Sequence, residues 1–276
     1  MALTIRSNIP SLEAQKNLDR TNSALQGSFN RLSSGLRIAT AADDAAGLAI
    51  SESMQTQIRS FTVAERNAQD AVSMLQTAEG ALGEIHSIMG RLRELAMQGA
   101  NGSLTSTDRG FLNTEYEAMK SEISRIQDSA KFNGKNLLSQ GASTIQFQIG
   151  LNNTQSDQLN ITFGGFGLTS ITAASHVISG SGITEALSAL GVIDAALSRI
   201  STERAKYGAS MNRLNTTISS IQTMRLNLTA ANSRIRDVDV AIETSALARN
   251  QILAQAGVSV LAQANQLPNL ALNLLK

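Results

Sequence analysis

The sequence predicts a mainly α-helical chain: an elongated rod of long antiparallel helices with coiled-coil packing, plus one β-hairpin. Three observations carry that reading. Proline occurs only at Pro10 and Pro268, one near each end of 276 residues, and proline is the strongest helix breaker. Apolar and small residues recur at 4-3-4-3 spacing through Ala71, Leu75, Ala78, Leu82, Ile85, Met89, Leu92 and Ala96, which is a heptad repeat. A single stretch, 144–163, switches to period two.

The first helix is expected from Ile5 to about Leu36. Leu18, Leu25, Phe29, Leu32 and Leu36 form its apolar face, with Ser7 or Asn8 as cap and Pro10 in the first turn. The second runs from about Asp44 to Gln98 and stops at Gly99, Asn101 and Gly102. At roughly 50 residues it spans ~75 Å, too long for a compact ball of this chain length, whose radius of gyration is ~19 Å. A third helix is expected after a cap at Ser106 or Thr107. Its face is Leu112, Met119, Ile123, Ile126 and Ala130, and it ends at the turn signal Phe132-Asn133-Gly134.

Thr144 to Ile149 and Gln158 to Phe163 alternate polar and apolar residues across a loop rich in Asn, Thr and Ser, and so predict a hairpin. Two strands alone are marginal, so the hairpin must lie on the helices. Residues 164–183, rich in Gly, Ser and Thr, are expected to be a short surface loop.

The next helix is expected from Thr184 to about Asn232. Leu187, Leu190, Leu197, Ile200, Tyr207, Met211, Leu214, Ile218, Ile221 and Leu228 hold its register, interrupted by Asp194, Arg204 and Arg225. The last segment, 236–276, carries the stripe Val260, Ala264, Leu267, Ala271 and Leu274. Neither terminal stripe has a further partner in the sequence. They are expected to pair with each other and with neighbouring copies, because long exposed stripes associate. The Asn and Gln side chains of 250–269 fit either a solvated face or one that hydrogen-bonds to other copies, since amides cost less to desolvate than charges.

Composition narrows the function classes. Lys and Arg number 23 against 22 Asp and Glu, so the basic excess that nucleic-acid binding needs is missing. Cys is absent and His numbers 2, which removes disulfides, thiolate sites and multi-histidine metal centres. No cofactor is implied. His86 reads as a structural residue on a coiled-coil flank, and His176 has no fixed partner. Asp43-Asp44 reads as a complement to a helix N-terminus rather than a metal pair. Gly164-Gly165-Phe166-Gly167 does not open a helix after a strand, so it is no phosphate loop. No window approaches the ~18 apolar residues of a membrane span, and the N-terminus has no cleavable signal pattern. No catalytic constellation is present, and the chain is read as a non-enzyme.

Arg31-Leu-Ser-Ser-Gly-Leu-Arg37 followed by Asp43-Asp-Ala-Ala-Gly-Leu-Ala-Ile50 resembles the N-terminal signature of bacterial flagellins. Gln251 to Pro268 resembles the C-terminal one, and Phe132 to Leu138 with Phe147-Gln-Ile-Gly150 resembles the hairpin region. The resemblance implies a secreted structural subunit that is exported unfolded through the flagellar type III apparatus without a cleaved signal. It then self-assembles into the extracellular flagellum filament for swimming motility.

It implies a division into 1–43 and 236–276 as halves of a filament-core domain, and 44–143 with 184–235 as a helical rod carrying the hairpin 144–163. Residues 164–183 stand where longer members carry outer domains. Filament-core packing falls to Leu18, Leu25, Phe29, Leu32, Leu36, Val260, Leu267 and Leu274. The implied partners are other copies, an export chaperone, cap and junction proteins, and a host Toll-like receptor contacting Arg91, Leu95 and Glu115. Neither nucleic acid nor stable membrane insertion is expected. The competing readings are a hook–filament junction protein and a secreted host-directed or membrane-active helical protein. The low charge disfavours the latter, since membrane-surface helices carry a Lys/Arg-rich face.

Overall fold

The computed structural model describes residues 7–172, 177–178 and 183–273, with side chains given except at 169–170 and 267–273. Helices dominate: α1 (Ile9–Ser34), α2 (Ala45–Gly99), α3 (Ser106–Ser129), α4 (Thr169–Thr172), α5 (Thr184–Arg236) and α6 (Val240–Asn273). Two short antiparallel pairs are inserted, β1 (Lys131–Phe132) with β2 (Lys135–Asn136), and β3 (Ser143–Gln148) with β4 (Gln158–Phe163). The mainly helical class with a small hairpin is thus what the chain adopts. It divides into two compact units, Arg59–Arg225 and Met1–Ile58 with Leu226–Lys276.

In the unit Arg59–Arg225, every member of the expected α2 heptad column, Ala71 to Ala96, is fully buried. It packs in one core with Tyr116 and Ile123 of α3 and Ala186, Ile193, Ile200, Tyr207 and Leu214 of α5. Leu187, expected on the α5 face, is exposed instead. The three polar interruptions of α5 have a purpose. Asp194 pairs with Arg93 at 2.7 Å, Arg204 with Glu79 at 2.6 Å, and Arg225 with Glu65 at 2.6 Å. These rungs fix the antiparallel register of α5 on α2 along the edges of the apolar seam.

The α3 cap lies one residue earlier than expected. The Thr105 side chain accepts from Asp108 N at 3.2 Å, and the Asp108 carboxylate accepts from Thr105 N at 3.0 Å. This reciprocal pair satisfies two donors at the helix start. Asn133 and Gly134 both take positive φ, 47° and 78°, the primed turn their dipeptide predicts.

The β3–β4 register pairs Ile145 with Ile161 and Phe147 with Leu159. Phe147, Leu159, Ile161 and Phe163 are buried, while Thr144–Thr162 and Gln146–Gln158 face outward and hydrogen-bond across the strands.

Residues 164–183 differ from a surface loop. Phe166, Leu168, Ile171 and Ile178 are buried in the same core, and Ile178 N donates to Asn113 Oδ1 at 3.0 Å. The physical reason is the apolar residue at every few positions of an otherwise small, polar stretch, which caps the open end of the hairpin core. His176 lies outside the described residues.

Candidate assembly surfaces

The unit of both termini is built around one antiparallel helix pair. Asn8 caps α1, its Oδ1 accepting from Ser11 N at 3.2 Å. Ser11, Ala14, Leu18, Thr21, Leu25 and Ser28 form the half-buried or buried seam of α1. Glu243, Leu247, Asn250, Ala254, Gly257, Leu261 and Ala264 form that of α6. Leu18 packs over Gly257, and Ser11 Oγ donates to Asn265 Oδ1 at 2.7 Å.

At the other end, Gly35 ends α1 in the left-handed conformation with φ 72°. Leu36 bridges to Asp237, Arg37 N donates to Arg236 O at 2.7 Å, and the Arg37 guanidinium donates to Ile235 O at 2.6 Å.

The acidic pair after this bridge does two separate jobs. Asp43 Oδ2 accepts from the Thr40 and Ala39 backbone and from the Thr40 hydroxyl, all within 3.2 Å. These bonds hold its carboxyl below the ordinary value, the Thr40 backbone bond most of all. Asp44 caps α2 by accepting from Gly47 N at 2.9 Å. A Cβ at Gly47 would sit 2.5 Å from the Asp44 carboxylate and 2.8 Å from the end of the Ile38 side chain, so a larger residue there would displace the capping carboxylate. Arg31 lies 3.9 Å from Asp43 and 3.8 Å from Glu243. The two N-terminal sequence motifs therefore build one object, a stop–bridge–restart that returns the chain into α2 beside the start of α6.

Little of the apolar surface of α1 and α6 is covered within the chain. Leu12, Ile242, Ile252, Leu253 and Val258 are exposed, as are Phe29 (63%) and Val260 (54%). Of the residues expected to pack the terminal helices, Leu18, Leu25, Leu32 and Leu36 are half-buried, whereas Phe29 and Val260 point to solvent. The Leu267 side chain and all of Leu274 lie outside the described residues.

A second surface was expected around Arg91, Leu95 and Glu115. Arg91 bonds Glu115 at 2.8 Å and Glu94 at 2.9 Å on an exposed face. Leu95 is not on that face. It is 1% exposed and belongs to the core, because it lies three residues after Leu92 and next to Ala96, on the buried side of α2. Nearby, Arg109 is buried and its guanidinium donates to Gly99 O at 3.1 Å and Asn101 O at 3.4 Å. It closes the C-terminal end of α2. No sequence signal marked it, since an arginine in the first turn of a helix ordinarily faces water.

Among the described residues no cluster of His, Cys, Asp and Glu could hold a metal ion, and no helix is long and apolar enough to cross a membrane.

One unit is a closed helical body with a buried core and the other is built on a helix pair with bare apolar sides, the features of a structural protein that assembles with copies of itself. The family follows from comparison. Residues 5–143 match the bacterial flagellin N-terminal helical region, and residues 190–275 match the C-terminal helical region. The chain belongs to the bacterial flagellin family.

It is 43% identical to a flagellin of Halalkalibacterium halodurans and 41% identical to one of Bacillus subtilis, each over 99% of this chain and 100% of the relative. Flagellin A of Vibrio anguillarum is 32% identical over 379 aligned positions and all of both chains, so it carries long insertions relative to these 276 residues. A crystal structure of Bacillus cereus flagellin aligns with 60% of this chain and 94% of its own at 32% identity and a TM-score of 0.49. A flagellar hook-associated protein of Vibrio parahaemolyticus shares the fold at a TM-score of 0.60 and 13% identity, over 71% of this chain and 100% of that one. The protein is a non-catalytic, filament-forming structural subunit of the extracellular bacterial flagellum.

Proposed function

We propose that copies of this flagellin stack through the outward sides of α1 and α6, which form the core of the filament, while the unit Arg59–Arg225 folds around its own core. The supporting observation is the concentration of exposed Leu, Ile, Val and Phe on these two helices, Phe29, Ile252 and Val260 among them. A monomer gains nothing by holding such side chains in water, and burying one removes about 1.5–3 kcal/mol of unfavourable hydration. Repeated over several positions and many copies, that drives polymerisation. The half-buried Leu18, Leu25, Leu32 and Leu36 shape the pair, and Leu267 and Leu274 extend the same stripe in sequence.

The family resemblance supports export in the unfolded state through the flagellar type III apparatus and addition at the filament tip. It also supports contacts with an export chaperone, a cap and junction proteins. A Toll-like receptor reading this chain would meet Arg91 and Glu115 and not Leu95. The test is polymerisation of Phe29→Asp and Val260→Asp proteins, seeded with filament fragments and viewed by negative-stain microscopy. Both variants should keep the helical content of the parent and form no filaments. Normal filaments from both would remove the outward sides of α1 and α6 from the assembly surface.

A further inference from the structure

We infer that Asn8 and Pro268 are a matched pair: Asn8 supplies the hydrogen bond that Pro268 cannot make inside α6, and in doing so pins the register of the two terminal helices. The inference rests on the filament reading for its importance but on local geometry for its content. In an α-helix the carbonyl of residue i accepts from the N–H of residue i+4. For Ala264 that residue is Pro268, which has no N–H, and α6 continues past it to Asn273. A proline in a helix interior leaves the carbonyl four residues earlier without its donor.

That carbonyl is the one Asn8 finds. Asn8 Nδ2 donates to Ala264 O at 2.8 Å, and Ala264 is buried. A buried carbonyl with no partner costs as much as a lost hydrogen bond, so the two residues answer each other. Both polar atoms of the Asn8 side chain are engaged here. Its oxygen caps α1 through Ser11 N, and its nitrogen closes α6.

The seam needs such a pin. The seam sets leucines among small or polar residues: Ser11, Ala14, Leu18, Thr21, Leu25 and Ser28 on α1, and Leu247, Ala254, Gly257, Leu261 and Ala264 on α6. Leu18 and Leu25 lie one heptad apart, so interlocking of large side chains discriminates poorly against a slip of one heptad. A slip of one heptad would bring Gly257 to the place of Ala264. The Gly257 carbonyl already has the Leu261 N–H four residues on, so Asn8 would gain less and the Ala264 carbonyl would be left open. Only the observed register satisfies both. Pro10 makes the contrast, because it stands in the first turn of α1, where its N–H is not needed.

The test is a double-mutant cycle on full-length protein, using Asn8→Ser, Pro268→Ala and both. Serine still caps a helix but is too short to reach Ala264, so the cap and the bridge are separated. Asn8→Ser should raise the critical concentration for polymerisation about tenfold in the parent background and less than about twofold beside Pro268→Ala, where the helix supplies its own N–H. An equal effect in both backgrounds, or none in either, overturns the pairing.

Register is read separately, because the chain has no cysteine. Ser11→Cys with Asn265→Cys reports the native register, and Ser11→Cys with Val258→Cys reports a one-heptad slip. Brief oxidation should favour the first pair in the parent and shift towards the second in Asn8→Ser. A ratio unmoved by Asn8→Ser overturns the register role. Cross-linking needs no filament, so failure of the parent to polymerise would count against the filament reading and leave this one to be judged on the cross-links.

Discussion

The two units of this chain use antiparallel helices for opposite ends. In Arg59–Arg225, α2 and α5 bury a continuous column that includes Leu75, Leu82, Ile85, Met89, Ile193, Ile200 and Leu214, and ion-pair rungs line its edges. In the terminal unit, α1 and α6 bury mainly Ala14, Ser28, Glu243 and Ala264 between them and leave large apolar residues outside. The first unit buries its own apolar column. Under the proposed stacking the second is completed by other copies, so its residues would contribute more to the polymer than to the monomer.

Cutting into each unit should expose that division. Leu92→Ala removes a fully buried side chain and should cost about 2–5 kcal/mol of monomer stability, seen as a fall in the thermal unfolding midpoint. Leu18→Ala, at a half-buried site over Gly257, should cost the monomer less than about 1 kcal/mol while still weakening polymerisation. Equal losses in the two monomers would end the comparison.

A smaller effect tests the rungs. Glu65 is buried and accepts from Gln222 at 2.7 Å and from Arg225 at 2.6 Å. Glu65→Ala should lower the stability of its unit by about 1.5–3 kcal/mol, with Glu65→Gln intermediate. Denaturant unfolding followed by circular dichroism measures both, and parent-like midpoints would reduce the rungs to ornament.

These contrasts also explain how far the sequence could be read. The α2 column was legible because its partners lie in the same chain, and a heptad pattern states its own burial. The hairpin was legible from its period of two, and the interruptions Asp194, Arg204 and Arg225 were visible before their partners Arg93, Glu79 and Glu65 were. The terminal stripes were legible as apolar but not as inside or outside. A stripe does not say which of its residues face the neighbouring helix, and Phe29 and Val260 are exposed. The α1–α6 seam includes Ala254 and Gly257, residues too small to stand out in a hydrophobic pattern. Leu95 was expected at a surface contact only through the family resemblance, yet helical rotation carries it to the core. Phe166, Leu168, Ile171 and Ile178 were hidden by the glycines and serines around them. Arg109 gave no signal, since only the fold brings the last carbonyls of α2 to its guanidinium.

A cap is weaker than a core and should show it. Thr105→Ala removes the side-chain acceptor for Asp108 N and one of the donors to the Asp108 carboxylate, and should cost about 1 kcal/mol. Because α3 packs on the finished unit, the loss belongs to the monomer, and filament yield at saturating protein should stay near the parent's. A cap variant that folds normally but fails to polymerise would place the start of α3 among the assembly surfaces.

Acid gives the smallest and most local difference. Asp43 in the terminal unit and Asp108 in the other both titrate below the ordinary carboxylate value of 3.8, held there by hydrogen bonds from Thr40 and Thr105 respectively. A carboxyl whose folded pKa is depressed contributes stability above its unfolded pKa and loses it as pH falls through the folded one. Each unit should therefore be insensitive to pH down to about 5 and weaken progressively below about 4.

Both carboxylates are exposed, so solvent screening keeps each contribution small. Asp43→Asn should flatten the acid slope of filament dissociation, because the turn at Thr40 helps bring α2 back beside the start of α6. Asp108→Asn should leave that slope alone and flatten only the acid unfolding of the monomer. If Asp108→Asn changes filament dissociation as much as Asp43→Asn does, acid acts on the polymer through the folded unit, and the terminal helices are not the part of the molecule on which assembly turns.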